Sequence, residues 1–414
     1  MRILFCYPWL DLGGAPNTSI TLARGLKERG HELFFFTKGG GIYESRLEAA
    51  GIPVVTAPHD RFFPHLYHLN ARAIRIFRET LDRYAIDVVH AFHMNSYFCA
   101  LFSAPAKRIP VIYTVVWLLP RIRYPSYPGR VIFVAEEFRD HAAGILGGRP
   151  RDTVVIPNRV DLDMFHPDVD WRDFAARTDL PGDGLKISFM SRMDHIKIGS
   201  LRYILRAMEL LAARREDVTL AIAGDGPLFG EIARLAGQLN ERAGRRVVRL
   251  LGTILETPQL IAWADIVLGI GRSAFEGMAG GRATLVVGEN GLAGVVEPET
   301  ASILQYYNFS GRNRTEPAEP VVLADEIERI AGEPERHNRL ARYAREYVLE
   351  HYDYHAGARQ LESVYERALE DPPLGWSEQV RLLLENAVLV YGNQWYIACK
   401  LKLRSALRSG TAVS

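Results

Sequence analysis

The sequence predicts an α/β protein made of two doubly wound domains and a helical C-terminal extension. Short apolar runs alternate with segments of helical spacing, and this alternation starts afresh at Leu185. Strands that alternate with helices form right-handed units on a mainly parallel sheet. A chain of 414 residues also exceeds what one hydrophobic core usually serves. Each half of the chain is therefore expected to carry its own sheet.

The first half contains apolar runs that predict strands. They cover residues 3–7, 33–36, 54–56, 88–90, 111–115, 131–134 and 154–156. Helical spacing between them predicts helices over residues 18–29, 69–84 and 136–146. The first strand leads into Gly13 and Gly14, which lie where the carboxyl ends of parallel strands bind ligands. A flexible loop without a ligand is the alternative.

A break at Ile156-Pro157-Asn158-Arg159-Val160-Asp161 precedes the second half. The predicted strands that follow cover residues 185–190, 218–223, 247–251, 266–268 and 285–287. From residue 322 the pattern is helical, over residues 324–330, 334–350 and 354–369, until Asp371-Pro372-Pro373 ends it.

Composition excludes several classes of protein. Hydrophobic residues make up 48% and charged residues 24% of the chain, and the net charge is +1, so nothing global indicates nucleic-acid binding. Three cysteines are too few and too scattered for a disulfide framework or a metal cluster. No run approaches the roughly 18 apolar residues of a membrane span, so a soluble or at most peripheral protein is expected.

Two cations follow the first strand of the second half. Arg192 and Lys197 lie in one strand-to-helix loop, at the carboxyl end of a predicted parallel strand. An arginine fork and a lysine point charge suit a diphosphate. The alternative is a pair of charges that only face solvent.

A glycine turn joins the runs 266–268 and 285–287. Gly271, Arg272 and Ser273 open a short helix, and Glu276 follows one turn later. Backbone N–H groups at such a helix start favour an anion, and the carboxylate can accept hydrogen bonds from hydroxyls beside it. A tight turn with a solvated glutamate is the alternative.

Two more turns end the second and third strands of this half. Gly224-Asp225-Gly226-Pro227 lacks the third glycine of a dinucleotide fingerprint. The simplest interpretation is a tight turn that needs no ligand, with Pro227 as the first helical residue. Gly252 and Thr253 are expected either to face a nucleobase with their backbone or to form another turn.

Taken in order, these segments resemble the retaining glycosyltransferases of family 4, which have the GT-B fold. The resemblance spans residues 1–370. It rests on Gly13-Gly14, Asp87-Val88-Val89-His90-Ala91, the 156–161 segment, Arg192 with Lys197, Gly224-Asp225-Gly226-Pro227, Leu251-Gly252-Thr253 and Glu276-Gly277-Met278-Ala279. It implies two Rossmann-like doubly wound domains that face each other across a cleft. Residues 1–158 would bind the acceptor and 159–350 the nucleotide sugar, 351–373 would cross back as a helix, and 374–414 would form a tail.

The activity implied by the resemblance is transfer of a sugar from a nucleotide diphosphate sugar to an acceptor hydroxyl, with retained anomeric configuration and no metal or other cofactor. Arg192 and Lys197 would hold the diphosphate, and Glu276 would bind the ribose. Gly13 and Gly14 would approach the phosphates as the domains close. The implied donor-binding set is Gly13, Gly14, Gly224, Gly252, Thr253, Gly271, Arg272, Ser273 and Glu276.

Two departures from the family pattern concern the donor sugar and the base. Leu268 stands where relatives commonly have a first glutamate, and the segment before Glu276 is shortened by about half a dozen residues, so Arg272 is expected to supply a different contact. Many relatives have a histidine after the strand 111–115, where this chain has Thr114-Val115-Val116-Trp117. His93 is the candidate catalytic histidine, and His90 is a second group expected to face the cleft.

The sequence leaves several questions open. A nucleotide-sugar 2-epimerase of the same fold and a non-catalytic partner subunit are alternative functions. The acceptor is a sugar, a lipid-linked molecule or a small molecule, and the expected location is the cytoplasm or the cytosolic face of a membrane. The tail, which carries Trp395, Tyr396, Lys400, Lys402, Arg404 and Arg408, either contacts a membrane surface or packs against the first domain.

Overall fold

The computed structural model describes residues 1–11, 13–59, 70–119, 129–146, 150–389, 391–392 and 395. The chain divides into two compact units. The first comprises Met1–Pro157 and His355–Ser414, and the second comprises Asn158–Tyr354. Each unit has its own sheet and its own hydrophobic core.

The first unit contains a seven-stranded sheet in the order β3-β2-β1-β4-β5-β6-β7, with every pair parallel. The strands are β1 (Arg2–Cys6), β2 (Glu32–Thr37), β3 (Val54–Thr56), β4 (Val88–Ala91), β5 (Val111–Val115), β6 (Arg130–Phe133) and β7 (Asp152–Val155). The strand order reverses between β1 and β4. In doubly wound folds the crevice outside the carboxyl ends at this point binds ligands.

Helices cover both faces of this sheet. They are α1 (Gly14–Glu28), α2 (Glu44–Ala49), α3 (Ala71–Arg83), α4 (Met94–Leu101), α5 (Glu136–Ala142) and, from the far end of the chain, α14 (Tyr354–Glu370), with a 3₁₀ turn at Pro105–Lys107. Leu361, Val364 and Tyr365 of α14 are fully buried in the cluster that contains Ile3 and Phe5 of β1. The C-terminal helix is thus part of the first core.

The second unit contains a six-stranded sheet in the order β10-β9-β8-β11-β12-β13. Its strands are β8 (Leu185–Met190), β9 (Val218–Ala223), β10 (Val248–Gly252), β11 (Ile266–Gly269), β12 (Ala283–Gly288) and β13 (Gly291–Val295). All pairs are parallel except β12 with β13. Here the order reverses between β8 and β11, so the loops after these two strands border the expected crevice.

The helices of the second unit are α6 (Arg172–Arg177), α7 (Ile198–Ala212), α8 (Phe229–Ala243), α9 (Thr257–Trp263), α10 (Arg272–Ala279), α11 (Ala301–Tyr306), α12 (Pro320–Gly332) and α13 (Pro334–His351). One buried cluster lies between the sheet and α7, α8 and α12, and a second lies between the sheet and α9, α10 and α13. Gly277 of α10 lies directly on β11, because a methyl group at this residue would come within 2.7 Å of the Val267 side chain.

The predicted fold class is confirmed, with two differences in detail. β13 was not predicted; it pairs antiparallel with β12 through a two-residue hairpin of Glu289 and Asn290. Gly291, the residue directly after this turn, has a φ of 99°, which glycine adopts more readily than other residues. The helix expected to begin at Pro227 begins at Phe229 instead, so Pro227 lies in the turn.

The tail continues as a helix over residues 376–389. Leu382 and Asn386 are buried, and Leu382 joins the core of the first unit. Within the part of the chain that the structure describes, no helix has both the length and the hydropathy that a bilayer crossing requires. Tyr396, Lys400, Lys402, Arg404 and Arg408 of the tail lie outside the described residues.

Candidate active site

The loop after β8 carries Arg192 and Lys197, and Asp194 organises it. One carboxylate oxygen of Asp194 accepts hydrogen bonds from the backbone N–H groups of Ile196 and Lys197, at 3.0 and 3.1 Å. The other lies 3.1 Å from a guanidinium nitrogen of Arg192. The Arg192 side chain remains 62% exposed, so this ion pair adds little to stability. Its effect is to orient a cation that a ligand can still reach.

Lys197 is the N-cap residue of α7 and is partly buried. Burial is the main reason that the pKa of Lys197 lies below its usual value. The charges of Arg312 and Arg192 lower this pKa further, whereas Asp194 and Glu289 raise it. Lys197 therefore lies near two other cations and two carboxylates, at the carboxyl edge of the sheet.

Gly224 allows the loop after β9 to pack against the loop after β8. Its φ is 139°, and a methyl group there would collide with the carbonyl oxygen of Ser191. At Gly226 a methyl group would lie 2.5 Å from the carbonyl oxygen of Met193. The Met193 N–H in turn donates to the Asp225 carbonyl, at 3.0 Å. In this structure Gly224 supports the loop that carries Arg192 and Lys197.

Gly252 and Thr253 end β10 beside this turn. Gly252 has a φ of 64°, and its carbonyl accepts a hydrogen bond of 2.7 Å from the Gly224 N–H. The Thr253 side chain is exposed. Backbone contacts therefore join Ser191, Gly224 and Gly252, which lie in the loops after three neighbouring strands.

The turn between β11 and α10 is short and closed by local hydrogen bonds. Gly271 is the N-cap residue with a φ of 60°, and its N–H donates to the Phe309 carbonyl at 2.6 Å. The Ser273 hydroxyl accepts a hydrogen bond of 2.9 Å from the Ile270 N–H and donates one of 3.3 Å to the Ile270 carbonyl. Ser273 thus shapes the turn.

Glu276 pairs with Arg272 across one turn of α10. The Arg272 Nε lies 2.7 Å from Glu276 Oε1, and the two side chains are only 13% and 10% exposed. A second guanidinium nitrogen of Arg272 donates to the Arg159 carbonyl at 3.1 Å. The structure thus brings together two residues that the sequence analysis assigned to separate donor contacts.

In the first unit, Gly13 and Gly14 lie where β1 leads into α1. Gly13 is the N-cap residue in an extended conformation, and its carbonyl accepts from the Asn17 N–H at 3.3 Å. Gly14 has open space where a side chain would start. Neither glycine has a backbone conformation that only glycine can adopt. Because both lack side chains, the backbone at the start of α1 is accessible.

His93 is the N-cap residue of α4, and its Nδ1 accepts a hydrogen bond of 3.2 Å from the Asn95 N–H. The ring packs edge-on against Trp9, with centroids 4.8 Å apart. Burial, followed by the charge of His59, lowers the pKa of His93 to about 3. His93 is therefore neutral at physiological pH, and because Nδ1 is an acceptor the proton is on Nε2.

His90 does not face the crevice, and that expectation is wrong. Its side chain is fully buried, with Nδ1 2.6 Å from the Tyr365 hydroxyl of α14 and Nε2 2.6 Å from the Thr114 hydroxyl of β5. Burial lowers the pKa of His90 to about 3. Both ring nitrogens are engaged in joining β4, β5 and α14.

Comparison with known proteins identifies this arrangement. Residues 12–164 match the family model described as Glycosyltransferase Family 4, and residues 184–352 match the model described as Glycosyl transferases group 1. The chain belongs to the GT-B glycosyltransferases. The family resemblance and the predicted activity class are thereby confirmed.

Individual relatives of this glycosyltransferase cover nearly the whole chain. The N-acetyl-alpha-D-glucosaminyl L-malate synthase of Bacillus anthracis is 24% identical over 397 residues, which is 89% of this chain and 97% of that protein. A glycosyltransferase from Rickettsia africae aligns with a TM-score of 0.70 at 18% identity, over 90% of this chain and 99% of that one. Anabaena HepE, solved with UDP and glucose, aligns with a TM-score of 0.68 at 20% identity, over 88% and 99%.

Three residues near Lys197 in this glycosyltransferase were not predicted from the sequence, namely Arg312, Asp194 and Glu289. Asp194 lies between the two predicted cations, and only its spacing to the backbone N–H groups of 196 and 197 could have marked it. Arg312 and Glu289 belong to later segments that carry no motif. They approach Lys197 only through the fold of the second unit.

Proposed function

We propose that this glycosyltransferase moves a sugar from a nucleotide diphosphate sugar to an acceptor hydroxyl with retention of anomeric configuration. The observation that carries the proposal is the placement of Arg192 and Lys197 after β8, with Arg272 and Glu276 after β11. These are the two strands between which the order of the sheet reverses, where doubly wound folds bind nucleotides. Cations there suit a diphosphate, and the carboxylate suits ribose hydroxyls.

The proposed chemistry needs no metal and no other cofactor. Negative charge grows on the departing phosphate as the glycosidic bond breaks, and Arg192 and Lys197 stabilise it electrostatically. The departing phosphate can itself accept the proton of the acceptor hydroxyl.

His93 has a narrower role in this proposal than that of a general base. A group whose pKa is about 3 is a poor proton acceptor at neutral pH. A proton on Nε2 instead makes His93 a hydrogen-bond donor. We propose that it donates to a hydroxyl of a bound sugar.

The donor site is tested with Arg192→Ala and Lys197→Ala. Each should lower sugar transfer by about 100-fold or more, since each removes charge from the leaving group. Arg202→Ala is the matched control, because Arg202 is an exposed arginine of α7 that pairs with Glu231 at 2.6 Å. Near-normal turnover in either site variant, with the fold intact by circular dichroism, would refute the diphosphate assignment.

The donor and acceptor are sought with UDP, GDP, ADP, CMP and dTDP and their sugar conjugates in a thermal-shift panel. UDP-sugars come first, because HepE is bound to UDP and glucose. Sugars, lipid-linked molecules and small molecules such as malate are then offered as acceptors, since one relative is an N-acetyl-alpha-D-glucosaminyl L-malate synthase. Product NMR reports whether the anomeric configuration is retained.

Two rival functions make different predictions in the same assays. A 2-epimerase would convert the donor to its epimer without any acceptor. A non-catalytic subunit would show no shift with any nucleotide. The family matches support glycosyl transfer and give no support to either rival.

We also propose that the enzyme works at the cytosolic face of a membrane and that the tail contacts anionic lipid. Leu384, Val388, Tyr391 and Trp395 recur at helical spacing and are 61%, 67%, 59% and 72% exposed. From residue 386 onward the sequence contains Lys400, Lys402, Arg404 and Arg408 and no Asp or Glu. An apolar face with neighbouring cations fits an anionic bilayer surface.

Flotation with vesicles tests the membrane contact. The full chain should float with phosphatidylglycerol vesicles at low salt and much less with phosphatidylcholine vesicles. Leu384→Ser with Trp395→Ser should reduce flotation by about fivefold or more, as expected for lost apolar burial. No flotation of the native chain with anionic vesicles would refute the contact.

A further inference from the structure

The segment Tyr307–Arg312 lies against the shortened turn at Gly271. β11 ends at Gly269 and α10 begins at Arg272, so only two residues join them. The Gly271 N–H donates to the Phe309 carbonyl at 2.6 Å. The Gly271 N–H, at the start of α10, is thus hydrogen-bonded to a backbone carbonyl of a segment that is distant in sequence. The segment therefore lies beside the turn that precedes Arg272 and Glu276.

This segment is held in an unusual conformation by a buried anchor. Asn308 and Phe309 have φ values of 54° and 51°, and two successive non-glycine residues in the left-handed region are costly. The Phe309 side chain is fully buried, with ring centroids 5.3 Å from Phe275 and 5.9 Å from Tyr352. Packing of this aromatic ring therefore maintains a backbone path that local preference opposes.

The far end of the segment brings Arg312 toward Lys197. Gly311 lies backbone to backbone on Gly288, where β12 ends. The next residue, Glu289, packs against Gly199 in the first turn of α7, since a methyl group on Gly199 would lie 2.9 Å from Glu289 Cγ. Gly311 touches Gly288, and the residue after Gly288 touches the first turn of α7. Arg312, the residue after Gly311, therefore lies on the side of the segment nearest the start of α7. Its charge is among those that lower the pKa of Lys197.

Charge balance favours a role for this arginine. Asp194 and Glu289 lie near Arg192 and Lys197, so the two predicted cations are largely offset before any ligand binds. A nucleotide diphosphate brings further negative charge. Arg312 is exposed and restores a positive excess at this edge, which favours the binding of an anion.

We propose that Arg312 is a third cation of the donor site and that it binds the diphosphate group beside Arg192 and Lys197. Segment 307–312 delivers it and also borders the site where the turn after β11 is short. This inference rests on the proposed use of a nucleotide diphosphate donor. It adds a binding residue from a part of the chain that carries no recognised motif.

Isothermal titration of the full chain with UDP, UMP and inorganic pyrophosphate tests the assignment. Arg312→Ala should weaken UDP and pyrophosphate by about tenfold or more and UMP by less than about threefold, which separates a diphosphate contact from a general change of the site. Arg312→Lys keeps the charge and should stay within about threefold of the native chain for UDP. Arg202→Ala is the matched control and should change nothing.

Four outcomes are decisive. Unchanged UDP and pyrophosphate affinity in Arg312→Ala overturns the third-cation assignment and leaves the proposed function standing. Equal losses for UDP and UMP, or equal losses in the Ala and Lys variants, also overturn it, because they indicate a structural role. A native chain that binds neither pyrophosphate nor any of UDP, GDP, ADP and dTDP overturns the proposed function, and the assignment with it.

Discussion

The ion pair between Arg272 and Glu276 joins two residues of the proposed donor site. Both side chains are nearly buried and 2.7 Å apart, so each charge depends on the other. A buried pair contributes little compared with apolar residues of equal size, but loss of one partner is costly. The Glu276 carboxylate is therefore fixed in direction by Arg272, and the proposed ribose contact would use a group that is already in place.

The strength of this coupling is measurable. Arg272→Met should lower the free energy of unfolding by about 3 kcal/mol, because it removes the cation that faces a buried carboxylate. The double variant Arg272→Met with Glu276→Gln should recover most of that loss, although it should bind donor poorly. Urea denaturation of both variants checks this. A double variant at least as unstable as Arg272→Met would show that the two charges are not coupled.

His90 gives the first unit a stability that depends on pH. Its pKa is about 3 in the folded protein against about 6.5 in an unfolded chain. Between these values the unfolded chain binds a proton that the folded protein does not, so stability falls as the pH drops below 6.5. Above pH 6.5 both states leave His90 neutral, and the full stability of the first unit is present.

His90→Gln should remove this dependence. From pH 7 to pH 5, the native chain should lose about 2 kcal/mol more unfolding free energy than the variant does. Urea titrations at the two pH values provide the measurement, and His195→Gln, at an exposed residue of the second unit, is the control. Parallel losses in His90→Gln and the native chain would contradict the neutral, buried state of His90.

At the scale of elements, the loops after β8, β9 and β10 form one layered structure. The N–H of Gly224 donates to Gly252, and the backbone at Gly224 touches Ser191. The position of Arg192 and Lys197 thus depends on a neighbouring turn that touches no ligand in the proposed mechanism.

Gly224→Ala should therefore affect both stability and catalysis. The alanine would have to adopt a φ of 139°, and its methyl group would collide with the carbonyl oxygen of Ser191. We expect the free energy of unfolding to fall by about 2 kcal/mol or more and the donor KM to rise. Gly237→Ala in α8, which has open space around it, should stabilise by about 1 kcal/mol with unchanged kinetics. Chemical denaturation and steady-state kinetics measure both. An unaltered donor KM in Gly224→Ala would show that the loops are independent.

Elements with local signals were predictable from the sequence, and contacts between distant segments were not. Most strands were found because buried parallel strands are continuous apolar runs. β13 was missed because Gly291 and Gly294 interrupt its pattern. Arg192, Lys197 and Glu276 follow strands directly, whereas Arg312 reaches Lys197 only after the chain has formed α11 and returned past Gly288. The core role of His90 depends on Tyr365, 275 residues away.

At the scale of the whole molecule, the two units differ in how the chain builds them. The second unit uses one continuous segment, Asn158–Tyr354, whereas the first combines Met1–Pro157 with the chain from His355 onward. α14 fills the core of the first unit with Leu361, Val364 and Tyr365. An ion pair of Arg29 with Glu362 and a hydrogen bond between His31 and Glu362 add to this contact.

Fragments of the chain test this difference. Residues 158–354 alone should unfold cooperatively, because their two core clusters are complete. Residues 1–157 alone should not, since without α14 several large apolar side chains of the first core are exposed. Thermal denaturation followed by circular dichroism compares the two. Addition of residues 355–389 in trans should restore a transition, and a cooperative transition of 1–157 alone would contradict the expectation.

The return of α14 to the first core also has a consequence for synthesis of the protein. A ribosome produces the strands of the first sheet before any residue of the second, yet their core remains incomplete until residues 355–370 have left the exit tunnel. The second unit, although made later, has all of its own residues sooner. The nascent chain should therefore complete its second unit first, and its first unit should need protection from aggregation until residues 355–370 have been made.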